Sequence, residues 1–120
     1  MIKLHQTALI GTGYWGSIIF NTLTKISKRN IFVYDKNTKN SKLLYKKFPK
    51  QTKIAKSYNE ILNDKNIKNI ILATHPSVNF FLGKKALEAK KNLFVEKPII
   101  NNKKKLSKLI TIANKNKRVL

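Results

Sequence analysis

The chain of 120 residues contains no cysteine, which removes disulfide frameworks, redox thiols and thiolate zinc sites together. Acidic residues are almost as scarce, with five aspartates and glutamates against 26 lysines and arginines. The two histidines, His5 and His75, lie far apart, so no metal site built by this chain alone is expected. Long apolar runs are missing as well. No stretch approaches the ~20 residues that a membrane-spanning helix needs, and no membrane partner is expected. The first residues, Met1-Ile2-Lys3-Leu4-His5-Gln6, lack the apolar stretch and small-residue cleavage site of a secretory leader. A cytoplasmic location is the expectation.

What is abundant is positive charge, a formal +21 at neutral pH. All but two of the basic residues are lysine, the exceptions being Arg29 and Arg118. Lysine, asparagine and isoleucine share A/T-rich codons, so an AT-rich coding sequence yields this composition without a partner selecting it. Readers of phosphates and bases favour arginine for its planar fork. The lysines also spread along the whole chain, and Lys103-Lys104-Lys105 is the only triple. A solvated basic surface is expected rather than a specific nucleic-acid footprint. The length suits one domain with its own core, residues 1–120.

Glycine is rare, yet three of the four glycines fall within Gly11-Thr12-Gly13-Tyr14-Trp15-Gly16, directly after Ala8-Leu9-Ile10. Such a turn between a strand and a helix can cradle a dinucleotide's pyrophosphate. One glycine turns tightly, one lets backbone approach the phosphates, and one lets the helix pack on the strand. An acid about twenty residues on, at the end of the next strand, completes the pattern. Asp35 holds that place after Ile31-Phe32-Val33-Tyr34. A carboxylate there accepts hydrogen bonds from ribose hydroxyls and repels a 2′-phosphate, which favours NAD, although neighbouring Lys36 softens the preference and leaves NADP open.

Hydrophobic spacing predicts strands at 7–10, 31–34, 52–55, 70–73 and 93–95. Helices are predicted at 15–28, 41–48, 58–62, 78–90 and 103–116, and Arg118-Val119-Leu120 resembles the start of another strand. Strands alternating with helices imply parallel βαβ units with right-handed crossovers. The expected fold is therefore α/β, a Rossmann-type doubly wound parallel sheet in three αβα layers.

Two further segments end predicted strands, where such sheets bind ligands. Val95-Glu96-Lys97-Pro98 could bind ribose and a substrate hydroxyl, or could be a charged loop that proline terminates. Ala73-Thr74-His75-Pro76-Ser77-Val78-Asn79 offers small and polar groups along a nicotinamide's path. It equally suits a helix-capping turn, and His75 taken alone reads first as a loop histidine.

Together these segments resemble the N-terminal nucleotide-binding domain of the glucose–fructose oxidoreductase/inositol dehydrogenase (Gfo/Idh/MocA) family. The similarity runs from about Thr7 to Leu120. It rests on the glycine turn, Asp35, Ala73-Thr74-x-Pro76-Ser77, Ala86-Leu87-Glu88-Ala89 and above all Glu96-Lys97-Pro98. The resemblance implies hydride transfer between a nicotinamide and a carbinol carbon of a sugar, polyol or nucleotide sugar. It makes Lys97 the catalytic residue, hydrogen-bonded to the reacting hydroxyl. Gly11, Gly13, Tyr14, Trp15, Gly16, Asp35, Ala73, Thr74, His75, Asn79, Glu96 and Pro98 become the cofactor-binding residues. Glu96 would contact the nicotinamide-side ribose, and Pro98 would follow a cis peptide.

Two departures stand out. Family members often carry histidine where this chain has Asn79. The family's second α/β domain, which supplies most substrate contacts and the usual general acid/base, is not expected within these 120 residues. The expectation is a chain that binds NAD with little turnover, acting on a sugar-type substrate only if that domain is supplied in trans. A nonenzymatic module that senses a nucleotide or binds an anionic partner is the alternative. A degenerate remnant, aggregation-prone or homo-oligomeric through an exposed apolar edge, is a third reading.

Overall fold

A computed structural model describes residues 6–120, so the leader reading of Met1–His5 lies outside it. Five strands alternate with five helices: β1 (Gln6–Ile10), α1 (Tyr14–Ile26), β2 (Ile31–Tyr34), α2 (Thr38–Lys47), β3 (Thr52–Ile54), α3 (Tyr58–Asn63), β4 (Ile67–Leu72), α4 (Pro76–Glu88), β5 (Asn92–Val95) and α5 (Lys103–Lys115). The sheet is entirely parallel, in the order β3-β2-β1-β4-β5. This is the doubly wound arrangement expected from the sequence.

Burial on both faces explains why these strands read as short apolar runs. In β1, Ala8 and Ile10 join Ile70, Leu72, Ala86, Leu87, Leu93 and Leu109 in a core that also takes in α3, α4 and α5. Leu9 points the other way, to Phe20 of α1, Leu44 of α2, Ile31 and Val33. One strand thus serves two cores, and helices cover the sheet on both sides.

The elements differ from expectation where polar side chains set the boundaries. Helix α2 begins at Thr38 rather than Ser41, because Asn37 caps it by accepting from the Lys39 N–H at 3.2 Å. Strand β4 begins at Ile67 rather than Ile70, since Ile67 and the polar Asn69 pair with Gln6 and Thr7 of β1, with Lys68 bulged between them. Arg118-Val119-Leu120 forms no strand. Its backbone nevertheless lies along the edge of β5, where the Leu93 N–H donates to the Val119 carbonyl at 2.9 Å.

Candidate functional site: the crevice at the ends of β1 and β4

Neighbouring strands β1 and β4 lead to helices on opposite faces of the sheet, and the crevice between their carboxyl ends is the switch point where such folds take ligands. The glycine turn forms one wall. Gly11 has φ +88°, and a Cβ there would lie 2.4 Å from the Ala73 carbonyl oxygen. A Cβ on Gly16 would lie 1.9 Å from the Gly11 carbonyl oxygen, so only glycine lets α1 start this close to the strand. Above Gly13 there is open space, with nothing within 4 Å of a Cβ position. The three glycines turn, open and pack, in that order.

The end of α1 under that space is chemically unfinished. Gly13 stands at its N-cap and offers no side-chain acceptor, and the first turn contains no acid. The other four helices are closed by side chains. Asn37, Ser57, His75 and Asn102 accept from the N–H groups of Lys39, Glu60, Ser77 and Lys105. Helix α1 therefore presents free backbone donors and a partial positive charge to the crevice, a fit for an anion such as a pyrophosphate. Tyr14 and Trp15, 78% and 60% exposed, flank the opening with their rings edge to face at 5.8 Å.

Asp35 ends β2 beside this turn, and its carboxylate is already engaged. Oδ2 accepts from the Thr12 N–H at 2.8 Å, the Thr12 hydroxyl at 3.1 Å and the Asn40 amide at 3.2 Å, while Oδ1 accepts from the Asn37 N–H at 2.8 Å. Burial pushes the Asp35 carboxyl up, but the bonds from Thr12, Asn37 and Asn40 outweigh it and hold the group below its ordinary range. A carboxylate offers about four lone-pair sites. A ribose hydroxyl would therefore share or exchange a bond here. Asp35 also lines a cleft of about 500 Å³ with Gly11, Tyr34, Ser57, Tyr58 and Lys85, roomy enough for a nucleoside.

The opposite wall follows β4. The Ala73 N–H donates to the Ile10 carbonyl at 2.8 Å, which locks this turn to the glycine turn. Thr74 lines the 500 Å³ cleft. His75 is exposed and acts as a helix cap: its Nδ1 accepts from the Ser77 N–H at 3.1 Å, with Pro76 opening α4. Asn79, in the first turn of α4, is enclosed. Its side chain has no exposed surface. The Thr74 hydroxyl donates to its Oδ1 at 2.5 Å, and its Nδ2 donates to the Ile99 carbonyl at 3.1 Å. With both ends of the amide committed inside the protein, Asn79 holds the wall together.

Glu96, Lys97 and Pro98 follow β5 at the same edge, anchored by the Glu96 N–H donating to the Leu72 carbonyl at 2.9 Å. Lys97 and Pro98 are exposed, and the peptide between them is cis. Lys84–Glu88, at 3.5 Å, is the one ion pair among the described residues, so Glu96 and Lys97 are free of such partners. No cluster of metal-binding side chains occurs among the described residues, and no helix among them is long and apolar enough to cross a membrane.

Sequence reasoning missed Thr12 and Asn40, which orient Asp35, and Ser57 and Tyr58, which line the cleft. Thr12 sits between two glycines, where only the glycines carry a signal. Asn40 stands five residues beyond Asp35, facing it only once Asn37 has started the helix. Tyr58 is fixed by a tertiary bond from its hydroxyl to the Leu82 carbonyl at 2.7 Å, and burial raises its ionisation above the usual tyrosine range.

Comparison with known proteins agrees with this geometry. Residues 5–120 match the model of the oxidoreductase family GFO_IDH_MocA, NAD-binding Rossmann fold. The uncharacterized oxidoreductase YhhX of Escherichia coli is 39% identical over 54 residues, which are 45% of this chain and 16% of that protein. Among solved structures, GenD2 from gentamicin A biosynthesis, in complex with NAD, superposes with a TM-score of 0.88 at 22% identity, over 100% of this chain and 34% of its own. Biliverdin reductase from Synechocystis, with biliverdin and NADP+, gives 0.86 at 19% identity over 96% and 36%. The UDP-N-acetylglucosamine 3-dehydrogenase GnnA from Acidithiobacillus ferrooxidans gives 0.84 at 21% identity over 99% and 38%. The chain thus spans little more than a third of the length of these structures and about a sixth of YhhX.

Proposed function

The chain belongs to the Gfo/Idh/MocA oxidoreductase family, in its NAD-binding Rossmann part, and from that premise we propose that it is the nucleotide-binding portion of a dehydrogenase acting on a carbinol of a sugar, polyol or nucleotide sugar. The observation that carries this reading is the open N-terminus of α1, the one helix without a side-chain cap, beneath the space over Gly13. The backbone N–H groups of the first turn, at Tyr14, Trp15 and Gly16, bind the pyrophosphate. Asp35 accepts from the adenosine ribose. The Ala73–His75 turn runs along the nicotinamide half, and Glu96 takes its ribose.

Bound nicotinamide supplies the hydride acceptor or donor. Lys97, exposed at the end of β5, donates a hydrogen bond to the substrate hydroxyl and favours its alkoxide character. The residue that exchanges the hydroxyl proton is not identified among those of the crevice, so turnover calls for groups supplied from elsewhere. Residues 1–120 form one domain in this reading, at work in the cytoplasm. GnnA and GenD2, a nucleotide-sugar dehydrogenase and an NAD complex by their names, support the substrate class and the cofactor.

Calorimetric titration tests it. The folded chain binds NAD or NADH, and Asp35→Ala weakens binding roughly tenfold, the scale of losing a hydrogen bond to a charged group. A folded sample that takes up neither nucleotide would end the proposal.

One observation favours a second reading, a nonenzymatic module for nucleotides or anionic partners. Among the described residues only Lys84 pairs with an acid, Glu88, and 26 basic residues face five acidic ones, which leaves most of the lysine charge uncompensated. Retention on RNA at physiological salt, released by NAD, is the result that would favour it. Retention at low salt alone would mean unspecific attraction.

A further inference from the structure

The segment that carries Lys97 leaves the sheet with few polar ties, beside the packing of Ile100 on the core. After the Glu96 N–H bonds to Leu72, the next residue tied into regular structure is Asn102, which caps α5. Between them, among the described residues, one hydrogen bond reaches the loop: the Asn79 Nδ2 donating to the Ile99 carbonyl at 3.1 Å. A carbonyl can only accept, so the amide nitrogen must face Ile99 and the amide oxygen must face Thr74. The Thr74 hydroxyl donates to that oxygen at 2.5 Å.

One fully buried side chain therefore joins three segments: the turn after β4, the first turn of α4, and the loop after β5. The line extends further. The Thr74 Cγ2 lies 3.1 Å from the position a Cβ on Gly11 would take, so Thr74 packs directly on the glycine turn. At the other end, Ile99 is two residues from Lys97. A buried amide with both ends satisfied is rigid, since moving it would strand polar groups away from water.

We infer that Asn79 is a positioning residue, which straps the Glu96–Lys97 segment to the β4–α4 turn and so sets its distance from the phosphate-binding turn. It touches neither cofactor nor substrate. The inference rests on the proposed reading that Glu96 and Lys97 serve the nicotinamide end of the site. On that reading, loss of the strap loosens the nicotinamide half and leaves the adenosine half, built on Asp35 and the glycine turn, unchanged.

Two ligands separate these halves, NADH and ADP, which lacks both the nicotinamide and the ribose that Glu96 takes. Calorimetry on Asn79→Leu, which removes both hydrogen bonds at similar volume, is expected to show NADH affinity lowered roughly five- to tenfold. ADP affinity should stay within about twofold of the parent, well inside one tenfold step. Asn79→Ser, too short to reach Ile99 yet still polar, should show the same split and guards against a misfolded leucine variant. Equal loss for both ligands would make Asn79 a general support of the fold and overturn the inference. Unchanged NADH affinity in either folded variant would overturn it as well. A parent chain that binds neither ligand would refute the proposed function instead, and the two failures are distinguishable.

Discussion

Helices α1 and α4 follow neighbouring strands and open onto the same crevice, yet their first turns are finished differently. Helix α4 satisfies itself: Pro76 brings no N–H, and His75 accepts from Ser77. Helix α1 has a glycine at its cap, no acid in its first turn and no side chain on its leading N–H groups. A cap of Ser, Thr, Asn or Asp is worth about 1 kcal/mol over alanine, and this chain places such residues at three of its other helices. Only where the glycine turn leaves space above the helix are the donors left open. The contrast points to an acceptor that comes from outside the protein.

The strongest way to break the contrast is to deny the turn its shape. Gly16→Ala puts a Cβ 1.9 Å from the Gly11 carbonyl oxygen. Backbone must shift, and a loss of about 3 kcal/mol is expected, the upper range for overpacking. A melting curve checks it; parent-like stability would mean that the close approach is not what demands glycine. Next, Gly13→Ser would give α1 the cap it lacks. Its φ of −71° suits any residue, and a serine there is worth a few tenths of a kcal/mol more than glycine. The variant should melt slightly higher while binding NAD at least about tenfold more weakly, because its own hydroxyl competes for the donors. A gain or no change in affinity would contradict the contrast.

Helix α4 supplies the reciprocal test. His75→Ala removes a working cap and should cost about 1 kcal/mol by denaturant titration. Asp35 gives the smallest effect, and its sign is set by its hydrogen bonds. Its folded carboxyl is held below the ordinary value near 4. The stabilisation is thus present above about pH 4 and is lost as pH falls through the lowered folded value. Asp35→Asn should flatten this acid limb of the stability profile; an unchanged limb would show that the carboxylate contributes nothing to it.

Much of this is legible in the amino-acid sequence. The alternation of apolar runs with helical spacing gave the five strands and the doubly wound sheet, because the stretches of parallel strand buried on both faces are largely apolar. The glycine spacing announced the turn, since Gly11 and Gly16 answer to local sterics that a sequence carries. Polar residues with tertiary partners were not legible. By resemblance Asn79 reads as a cofactor contact, because it closes the Ala73–Asn79 segment at the end of β4. Its actual partner, the Ile99 carbonyl, lies twenty residues away and depends on how the loop after β5 folds back. Lys91 escaped notice among the other lysines. Yet it is almost fully buried, with its Nζ donating to the Asp64 and Ile67 carbonyls at 2.6 and 2.7 Å. Burial, with Lys68 nearby, lowers its basicity against the opposing pull of Asp64.

The open end of α1 can be observed directly by following backbone amide resonances while NAD is added. The account predicts that the largest shifts fall on Tyr14, Trp15 and Gly16, while Lys105, whose N–H already donates to Asn102, stays near its starting position. Shifts of equal size at both helices, or saturation by NAD without movement at the first turn of α1, would contradict it.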